Sequence, residues 1–307
     1  MFASPVGGGG GKGMRVAHDE SELERLFEQA SNEAESAFGD GRIYVEKFLA
    51  KARHIEFQVM ADTHGNVVHF GERDCSVQRR NQKLIEECPS LVLSEEKRQE
   101  GGQIAVNAAK ACDYVGAGTV EFLYDEASEE FYFLEMNTRI QVEHRVSELC
   151  YTLKFANPED PNDYLLVDSL VEAMTLLARH GKKLPKPERI PRERASVEAR
   201  LNATNAALKP HAGGVIEYWS SPIANEIRDD QGISARNPDT NQFIKYHLAG
   251  AYDSNIALLL SVGSNRVDSY NAMYPTAPTF FTHPDPVRVC TATGQPPARG
   301  YGTAPTT

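Results

Sequence analysis

In the segment FLEMNTRIQVEH, residues 133–144, every second position from residue 135 to residue 143 carries a polar side chain. The set is Glu135, Asn137, Arg139, Gln141 and Glu143. In an extended chain these side chains would share one face, where acids and amides could bind a cation, the guanidinium could hold an anion and an acid could accept a proton. An ordinary solvated strand face is the alternative. Phe131 and Phe133 share the parity of the set and the other parity is apolar, so we expect the strand to begin buried on both faces.

A second strand-like segment, GAGTVEFLYD, precedes this one and is joined to it by an acidic turn. If the turn is centred on Ser128, Asp125 lies opposite Phe131 and Glu121 lies opposite Glu135. The Cβ atoms of directly opposed residues are about 4.5–5.5 Å apart. The symmetry of the hairpin therefore predicts that two acids meet on one face.

Two carboxylates at this spacing need a partner, because at about 5 Å and an effective dielectric of about 20 they repel by roughly 3 kcal/mol. Protonation of one acid or a bound cation would relieve the repulsion, and Asn137 adds a neutral oxygen. Oxygen ligands of this kind suit Mg²⁺, while an exposed acidic hairpin is the alternative. Further along the face, Arg139 could hold a small planar anion and Glu143 could take its proton. An Arg139–Glu143 salt bridge is the alternative there.

A glycine run, GGGGGKGM at residues 7–14, is a candidate phosphate-binding loop. Its backbone N–H groups could approach phosphate oxygens, with Lys12 nearby. It is not a Walker A loop, because Val6 and Gly13 stand where that motif requires Gly and Ser or Thr. A flexible linker is the alternative.

A basic segment, RDCSVQRRNQKLIEECP, stands out in an otherwise acidic chain. Its cations are Arg73, Arg79, Arg80 and Lys83. The default interpretation of such a segment is a solvated charged loop.

The composition limits the classes of protein to which the chain can belong. The chain has 307 residues, is 41% hydrophobic and carries a net charge of -11, which argues against general nucleic-acid binding. Its 5 cysteines are scattered, which suggests neither a disulfide framework nor a zinc site and fits a reducing compartment. The sequence shows neither a signal peptide nor an apolar run of the roughly 18 residues that a membrane span needs. We expect a soluble, unprocessed protein of the cytoplasm, or of an organellar matrix.

Two helices are predicted from caps and apolar spacing. Ser21 and Glu24 form a capping box before an amphipathic pattern. A second helix spans Ser94 to Cys112 and is weakened by its internal glycines, Gly101 and Gly102.

Other patterns predict a hairpin, a further helix and a second unit. Residues 54–74 are predicted to form a hairpin, in which polar and apolar residues alternate before a His-Gly-Asn turn, and residues 168–180 have a helical pattern. A proline-rich connector leads to strand-like segments between Ala195 and Val262. The tail beyond lacks apolar periodicity, so we expect disorder over residues 264–307.

In chain order, GGGGGKGMRV, YVEKFL, RHIEFQV, ERDCSVQRRNQK, GAGTVEFL and EMNTRIQVEH resemble the ATP-grasp core of biotin carboxylase, the ATP-dependent component of acyl-CoA, pyruvate and related carboxylases. The resemblance covers about residues 7–262 and implies an α+β ATP-grasp fold, with a glycine-loop lid over an antiparallel-sheet lobe. It divides the chain into a partial lid subdomain (1–48), a large lobe with the magnesium and bicarbonate site (49–185), a partial C-terminal lobe (186–263) and the tail. The family's N-terminal Rossmann-like subdomain is missing, so we expect a chain truncated at both ends.

The resemblance also implies a role for individual residues. The Mg²⁺ or Mn²⁺ ligands are Glu121, Glu135 and Asn137. The catalytic residues are Lys83 and Arg139, which contact bicarbonate together with the backbone of Val142, Glu143 as the base, and Arg200, which steadies biotin. The nucleotide-binding residues are Gly10, Gly11, Glu46, Lys47, Phe48, Leu49, His54, Gln78, Asn81, Glu121, Gln141 and Val142.

The implied activity is ATP-dependent carboxylation of biotin by bicarbonate through carboxyphosphate. The implied partners are a biotin carboxyl carrier domain and a carboxyltransferase, in a parent protein that is a homo-oligomer, without nucleic acid or membrane. Ser4 and Asn81 depart from the family pattern, which has Lys and often His there. The alternatives are therefore an inactive nucleotide-binding fragment, or another ATP-grasp carboxylate ligase such as a carbamoyl-phosphate synthetase relative.

Overall fold

A computed structural model describes residues 2–6, 14–49, 51–79, 81–160, 162–180, 185–204, 215–216, 227–230, 236–242, 244–248, 255–273 and 288–290. The helices are α1 (Glu20–Phe38), α2 (Glu95–Ala111), α3 (His144–Cys150), α4 (Leu170–His180) and α5 (Arg266–Met273). The strands are β1 (Phe2–Pro5), β2 (Arg15–Val16), β3 (Ile43–Glu46), β4 (Ala52–Ala61), β5 (Val67–Arg79), β6 (Gln82–Cys88), β7 (Gly116–Asp125), β8 (Glu130–Asn137), β9 (Tyr151–Ala156), β10 (Tyr164–Val167), β11 (Glu188–Pro191), β12 (Ala195–Thr204), β13 (Val215–Ile216), β14 (Ile227–Asp230), β15 (Tyr246–His247), β16 (Asn255–Gly263) and β17 (Arg288–Cys290).

One large sheet carries the chemistry-bearing strands. Its order is β14-β16-β12-β6-β5-β4-β7-β8, with β17 also paired to β12, and neighbouring strands are antiparallel. The β6–β12 pairing places strands of the predicted large lobe and of the predicted C-terminal lobe in one sheet. The boundary near residue 186 stays a prediction. None of the helices in the described part of the chain is long and apolar enough to cross a bilayer.

The central strand β4 has two buried faces of opposite character. Ile55, Phe57 and Val59 pack into an apolar cluster that includes side chains of α2. Glu56 and Gln58 alternate with them and are equally buried, with 0% exposure. The predicted alternation is therefore present, but its polar face is enclosed and must be satisfied by other polar groups.

Helix α2 begins where the sequence predicts, because Ser94 caps it by accepting a hydrogen bond from the Lys97 N–H at 3.2 Å. Its glycines allow the helix to approach the sheet closely. A Cβ on Gly101 would lie 2.6 Å from Phe57 Cζ, and one on Gly102 would lie 2.3 Å from His69 Cε1. Glycine has a low helix propensity, but a larger side chain at either position would overlap with side chains of the sheet.

The capping box predicted for α1 is wrong. Asp19 is the N-cap, and its Oδ1 accepts from the Ser21 N–H at 2.9 Å. Asp19 caps one residue before the helix begins, so Ser21 lies inside the first turn.

The register of the β7–β8 hairpin confirms one predicted pair and corrects the other. Glu121 lies opposite Glu135, but Asp125 pairs with Glu130 instead of Phe131. A bulge at Leu134, between the Phe122–Phe133 and Glu121–Glu135 pairs, adds one residue to β8 and brings Glu121 and Glu135 into the predicted register.

The start of β8 is not buried on both faces, because β8 is an edge strand of the sheet. Phe133 is 61% exposed and Leu134 is 45% exposed. An edge strand has a neighbour on one side only, which explains why its apolar residues remain accessible.

The segment after residue 264 also differs from the expected disorder, since it begins with α5. Ser269 is buried, and its hydroxyl donates to the Ala195 carbonyl at 2.5 Å. Arg266 Nη1 donates to the Ser196 carbonyl at 2.6 Å, so both contacts fix α5 to β12. Apart from β17, the rest of the predicted tail lies outside the described residues.

Candidate active site

A buried guanidinium organises the polar face of the central strands. Arg73 Nε donates to Glu56 Oε1 at 2.6 Å, and Nη1 donates to Gln58 Oε1 at 3.0 Å and to Ser147 Oγ at 3.1 Å. Its Nη2 donates to Gln141 Oε1 at 2.9 Å. Arg73 and Glu56 both have 0% exposure. The expectation of a solvated basic loop is therefore wrong here, because Arg73 lies on β5 inside the sheet and supplies the donors that its polar face requires.

A single ammonium group joins three acids beside this network. Lys83 Nζ lies 2.5 Å from Glu56 Oε2, 3.0 Å from Glu143 Oε1 and 3.2 Å from Glu121 Oε1. Burial alone would lower the pKa of Lys83, but the acids outweigh it and raise the pKa. Burial would likewise raise the pKa of Glu56, but the nearby cations lower it to about 2. Lys83 and Glu56 are therefore held in their charged forms.

Glu121 is held by donors on both oxygens. His54 Nε2 lies 2.6 Å from Oε2, and the Gln78 amide donates to His54 Nδ1 at 2.7 Å, which places the ring proton on Nε2. Oε1 accepts from Asn137 Nδ2 at 2.8 Å and from Gln141 Nε2 at 2.9 Å. Burial would raise the pKa of Glu121, but the hydrogen bond from His54 and the nearby ammonium lower it to about 2.

The predicted magnesium ligands converge. The Asn137 amide bridges the opposed acids, with Nδ2 at 2.8 Å from Glu121 Oε1 and 3.3 Å from Glu135 Oε1. Arg139 Nη2 donates to Asn137 Oδ1 at 3.3 Å. A half-turn of the amide would bring Oδ1 to the carboxylates, and amide orientation follows the hydrogen-bond network. Two carboxylates and one amide oxygen fit a hard cation that completes its shell with water and phosphate.

A second group of candidate ligands is His54, Glu56 and Glu121, whose ligand atoms lie within 4.8 Å of one another. Lys83 Nζ contacts both of these acids. The ammonium therefore already offsets the charge that a cation would offset at this position.

Glu143 and Arg200 form an ion pair at the far end of the network. Arg200 Nη2 lies 3.2 Å from Glu143 Oε2, and Arg200 Nε donates to Glu86 Oε1 at 2.6 Å. Glu143 pairs with Lys83 and Arg200, and not with Arg139 as in the alternative interpretation. Arg139 is exposed, and its Nη1 donates to the Ile140 carbonyl at 3.3 Å. The structure thus joins three of the predicted catalytic side chains and leaves Arg139 at the rim.

The predicted adenine segment follows β3 and is accessible. Glu46, Lys47 and Phe48 are exposed, and Leu49 is partly buried. Lys47 Nζ lies 3.3 Å from the Tyr132 hydroxyl and 4.9 Å from its ring centroid, so the segment lies beside the β7–β8 hairpin.

The other predicted nucleotide contacts differ in placement. Asn81 is exposed in the turn between β5 and β6, with a left-handed φ of 63°. Val142 is 46% exposed and follows the buried Gln141. Gly10, Gly11 and the rest of the glycine run lie outside the described residues.

Four network residues were missed at the sequence level: Glu56, Arg73, Glu86 and Glu198. Each has 0% exposure. For Glu56 and Glu198 the available signal was a charged residue between apolar neighbours inside a predicted strand, because such a side chain must find a partner in the core. Arg73 lies between Glu72 and Asp74, so its own neighbours gave no such signal.

Comparison with known sequences places this chain in a family. The family model of the carbamoyl-phosphate synthase L chain, ATP binding domain, matches residues 2–156. The biotin carboxylase of Nostoc sp. is 40% identical over 303 residues, 98% of this chain and 60% of that protein. The chloroplastic biotin carboxylase of Arabidopsis thaliana is 43% identical over 262 residues, 85% of this chain and 44% of that protein. The chain thus spans about half of the length of these relatives.

Solved structures give the same result. A biotin carboxylase–β,γ-ATP complex from Campylobacter jejuni has a TM-score of 0.74 and 34% identity, covering 95% of this chain and 58% of that one. The biotin carboxylase domain of the Hydrogenobacter thermophilus 2-oxoglutarate carboxylase, solved with MgADP and bicarbonate, has a TM-score of 0.74 and 35% identity, covering 94% and 58%. The ATP-grasp fold and the resemblance expected from the sequence are therefore confirmed. The chain belongs to the family of the carbamoyl-phosphate synthase L chain ATP-binding domain, as a relative of the biotin carboxylases.

Proposed function

We propose that this chain carries out the ATP-dependent carboxylation of biotin by bicarbonate, by way of carboxyphosphate. The observation that carries the proposal is the convergence of Lys83, Glu143 and Arg200, in which one acid meets two cations at 3.0 Å and 3.2 Å. Such a group can bind a small oxyanion and accept its proton. The names of the similar proteins support the same activity, as does the bicarbonate in one of their structures.

The first step activates bicarbonate. Lys83, Arg139 and the Val142 backbone bind it, and Glu143 takes its proton. A bicarbonate oxygen then attacks the γ-phosphorus of ATP, the bond to the bridging oxygen breaks, and ADP leaves with carboxyphosphate remaining. Mg²⁺ held by Glu121, Glu135 and Asn137 would offset the negative charge on the phosphates.

The second step carboxylates biotin. Carboxyphosphate breaks down to CO₂ and phosphate, the phosphate takes the proton of the ureido nitrogen of biotin, and this nitrogen forms a bond to the CO₂ carbon. Arg139 and Arg200 stabilise the enolate-like anion that biotin presents before this bond forms. The exposure of Arg139 suits a group that must meet a substrate arriving from outside.

ATP lies between the predicted lid and the large lobe. Glu46, Lys47, Phe48 and Leu49 line the adenine, and Gly10 and Gly11 cover the phosphates. The remaining contacts are proposed for His54, Gln78, Asn81, Gln141 and Val142. The accessible segment after β3, next to the hairpin that holds the proposed Mg²⁺ ligands, supports this placement.

Biotin arrives on a carrier domain, and a carboxyltransferase consumes the product. These partners, a homo-oligomeric parent protein, the domain boundaries and a cytoplasmic or organellar location remain proposals that rest on the family.

Measurement of Mg²⁺-dependent ADP release tests the function. We expect release that requires both bicarbonate and free biotin, and that falls in Lys83→Met but not in the exposed Arg42→Met. Stimulation by ammonia in place of biotin would instead support a carbamoyl-phosphate synthetase-like ligase. ATP binding without turnover would support a nucleotide-binding role alone.

A further inference from the structure

Two glutamates face each other in the core behind Arg200. Glu86 on β6 lies directly opposite Glu198 on β12, and both have 0% exposure. The Cβ atoms of such a cross-strand pair are about 4.5–5.5 Å apart. Two carboxyl groups therefore share a site that water does not reach from the surface.

The hydrogen bonds of this pair are unequal. Glu86 Oε1 accepts from Arg200 Nε at 2.6 Å. Among the residues that the structure describes, Glu86 Oε2 and both oxygens of Glu198 have no hydrogen-bond partner. A buried carboxylate without donors is strongly disfavoured, whereas a protonated carboxyl carries its own donor. The geometry therefore favours one proton on the pair.

The surrounding charges lead to the same conclusion. The carboxylates of the region are those of Glu56, Glu86, Glu121, Glu143 and Glu198, and its cations are Arg73, Lys83 and Arg200. Among these described groups, the acids outnumber the arginine and lysine cations. Burial, with Glu86 and Glu143 nearby, raises the pKa of Glu198 well above its usual value despite Arg200 and Arg73. Burial and Glu143 raise the pKa of Glu86 to about 7, against the attraction of Arg200.

We propose that Glu86 is a positioning residue for Arg200, and that Glu198 holds the proton of the pair so that Glu86 stays the anion that fixes the guanidinium. The proposal rests on the proposed function, in which Arg200 meets biotin. Glu86 holds Nε at 2.6 Å and Glu143 holds Nη2 at 3.2 Å. Contacts at two of its nitrogens fix the plane of the guanidinium, and orientation of this kind contributes directly to rate.

Infrared spectroscopy of the full chain, labelled with ¹³C at the glutamate side-chain carboxyl carbon, tests the proton without using activity. At neutral pH we expect a C=O stretching band of a buried protonated carboxyl group. The band disappears in Glu198→Gln. In Glu86→Gln the band persists, because both oxygens of Glu198 still lack a donor and its burial keeps the carboxyl group protonated. The band persists in Glu87→Gln, the neighbouring residue on the opposite face of β6. Absence of the band in the wild type, or its survival in Glu198→Gln, would overturn the shared proton.

Steady-state kinetics test the positioning. In Glu86→Gln we expect the KM for free biotin to rise at least about tenfold, with the KM for ATP unchanged within about twofold and partial rescue by Glu86→Asp. An unchanged KM for biotin in Glu86→Gln would overturn the positioning role.

The two proposals fail in distinguishable ways. Absence of biotin-dependent turnover in the wild-type chain would overturn the proposed function and, with it, the positioning of Arg200 for biotin. The infrared band would still decide whether Glu86 and Glu198 share a proton.

Discussion

Arg73 donates from Nε to Glu56 Oε1 at 2.6 Å, and neither side chain is exposed to solvent. The pair lies on neighbouring strands, where Arg73 is the direct partner of Glu56 across β4 and β5. Lys83 Nζ binds the second oxygen of the same acid at 2.5 Å. The polar interior of the site therefore depends on a guanidinium that is not exposed to solvent.

Replacement of Arg73 by Met should destabilise the fold strongly. The substitution leaves Glu56 buried with one cation fewer and removes donors from Gln58 and Gln141. Loss of one partner of a buried ion pair costs about 3–5 kcal/mol. Urea denaturation should show a decrease of that size in the free energy of unfolding.

The matched control is Arg53→Met. Arg53 contacts Glu126 at the same 2.6 Å, but the side chains are 40% and 50% exposed. Exposed pairs contribute at most about 1 kcal/mol. A cost for Arg73→Met no larger than that of the control would contradict the role given to the buried pair.

Replacement of Gly102 by Ala tests the close packing of α2. Alanine has the higher helix propensity, by about 1 kcal/mol, so an unhindered site would gain stability. The new Cβ would lie 2.3 Å from His69 Cε1, and overpacking costs about 1–3 kcal/mol. We expect a net loss in the free energy of unfolding, measured by denaturation. Asn107→Ala, on the exposed side of the same helix, should show no such loss, and a stabilised Gly102→Ala would refute the packing requirement.

The main acidic pair could be predicted from the sequence because period-two alternation and hairpin symmetry are local properties. Glu121 and Glu135 meet as predicted, yet two errors cancel in that result. The turn brings Asp125 opposite Glu130, and the bulge at Leu134 shifts the register back by one. No glycine marks the bulge in the sequence, so its position depends on how the edge strand packs.

The buried charges could not be predicted because their partners are remote in sequence. Arg73 contacts Ser147 on α3, and Glu86 contacts Arg200 on β12. Each of these side chains, taken alone, is most often solvated, so only the tertiary fold distinguishes a buried network from a charged surface.

Arg139 should matter for activity and not for stability. It is exposed, and its contacts with Asn137 and the Ile140 carbonyl are both 3.3 Å long. Arg139→Ala should therefore change the free energy of unfolding by no more than about 0.5 kcal/mol. Loss of a guanidinium that stabilises developing negative charge should lower bicarbonate- and biotin-dependent ADP release by about 10²–10³-fold.

Arg42→Ala is the control for Arg139→Ala, because Arg42 is also exposed and pairs with Asp40, and neither residue has a proposed role in the site. It should leave both stability and ADP release near the wild-type values. Full turnover in Arg139→Ala would exclude this residue from the proposed mechanism.

The free energy of unfolding should depend on pH through His69. Burial and the charge of Arg189 lower the pKa of His69 from 6.5 to about 4. The folded state therefore binds this proton less tightly than the unfolded chain does. The stability linked to His69 is present in full above pH 6.5 and is lost as the pH falls through about 4.

His69→Gln should remove this dependence. In urea denaturation carried out at several pH values between about 6.5 and 4, the free energy of unfolding should fall less steeply in the variant than in the wild type. His64→Gln, in the exposed turn of the β4–β5 hairpin, should keep the wild-type slope. Because the difference between the two variants cancels the contributions of the acids, equal slopes would show that His69 is protonated as readily in the folded chain as in the unfolded one.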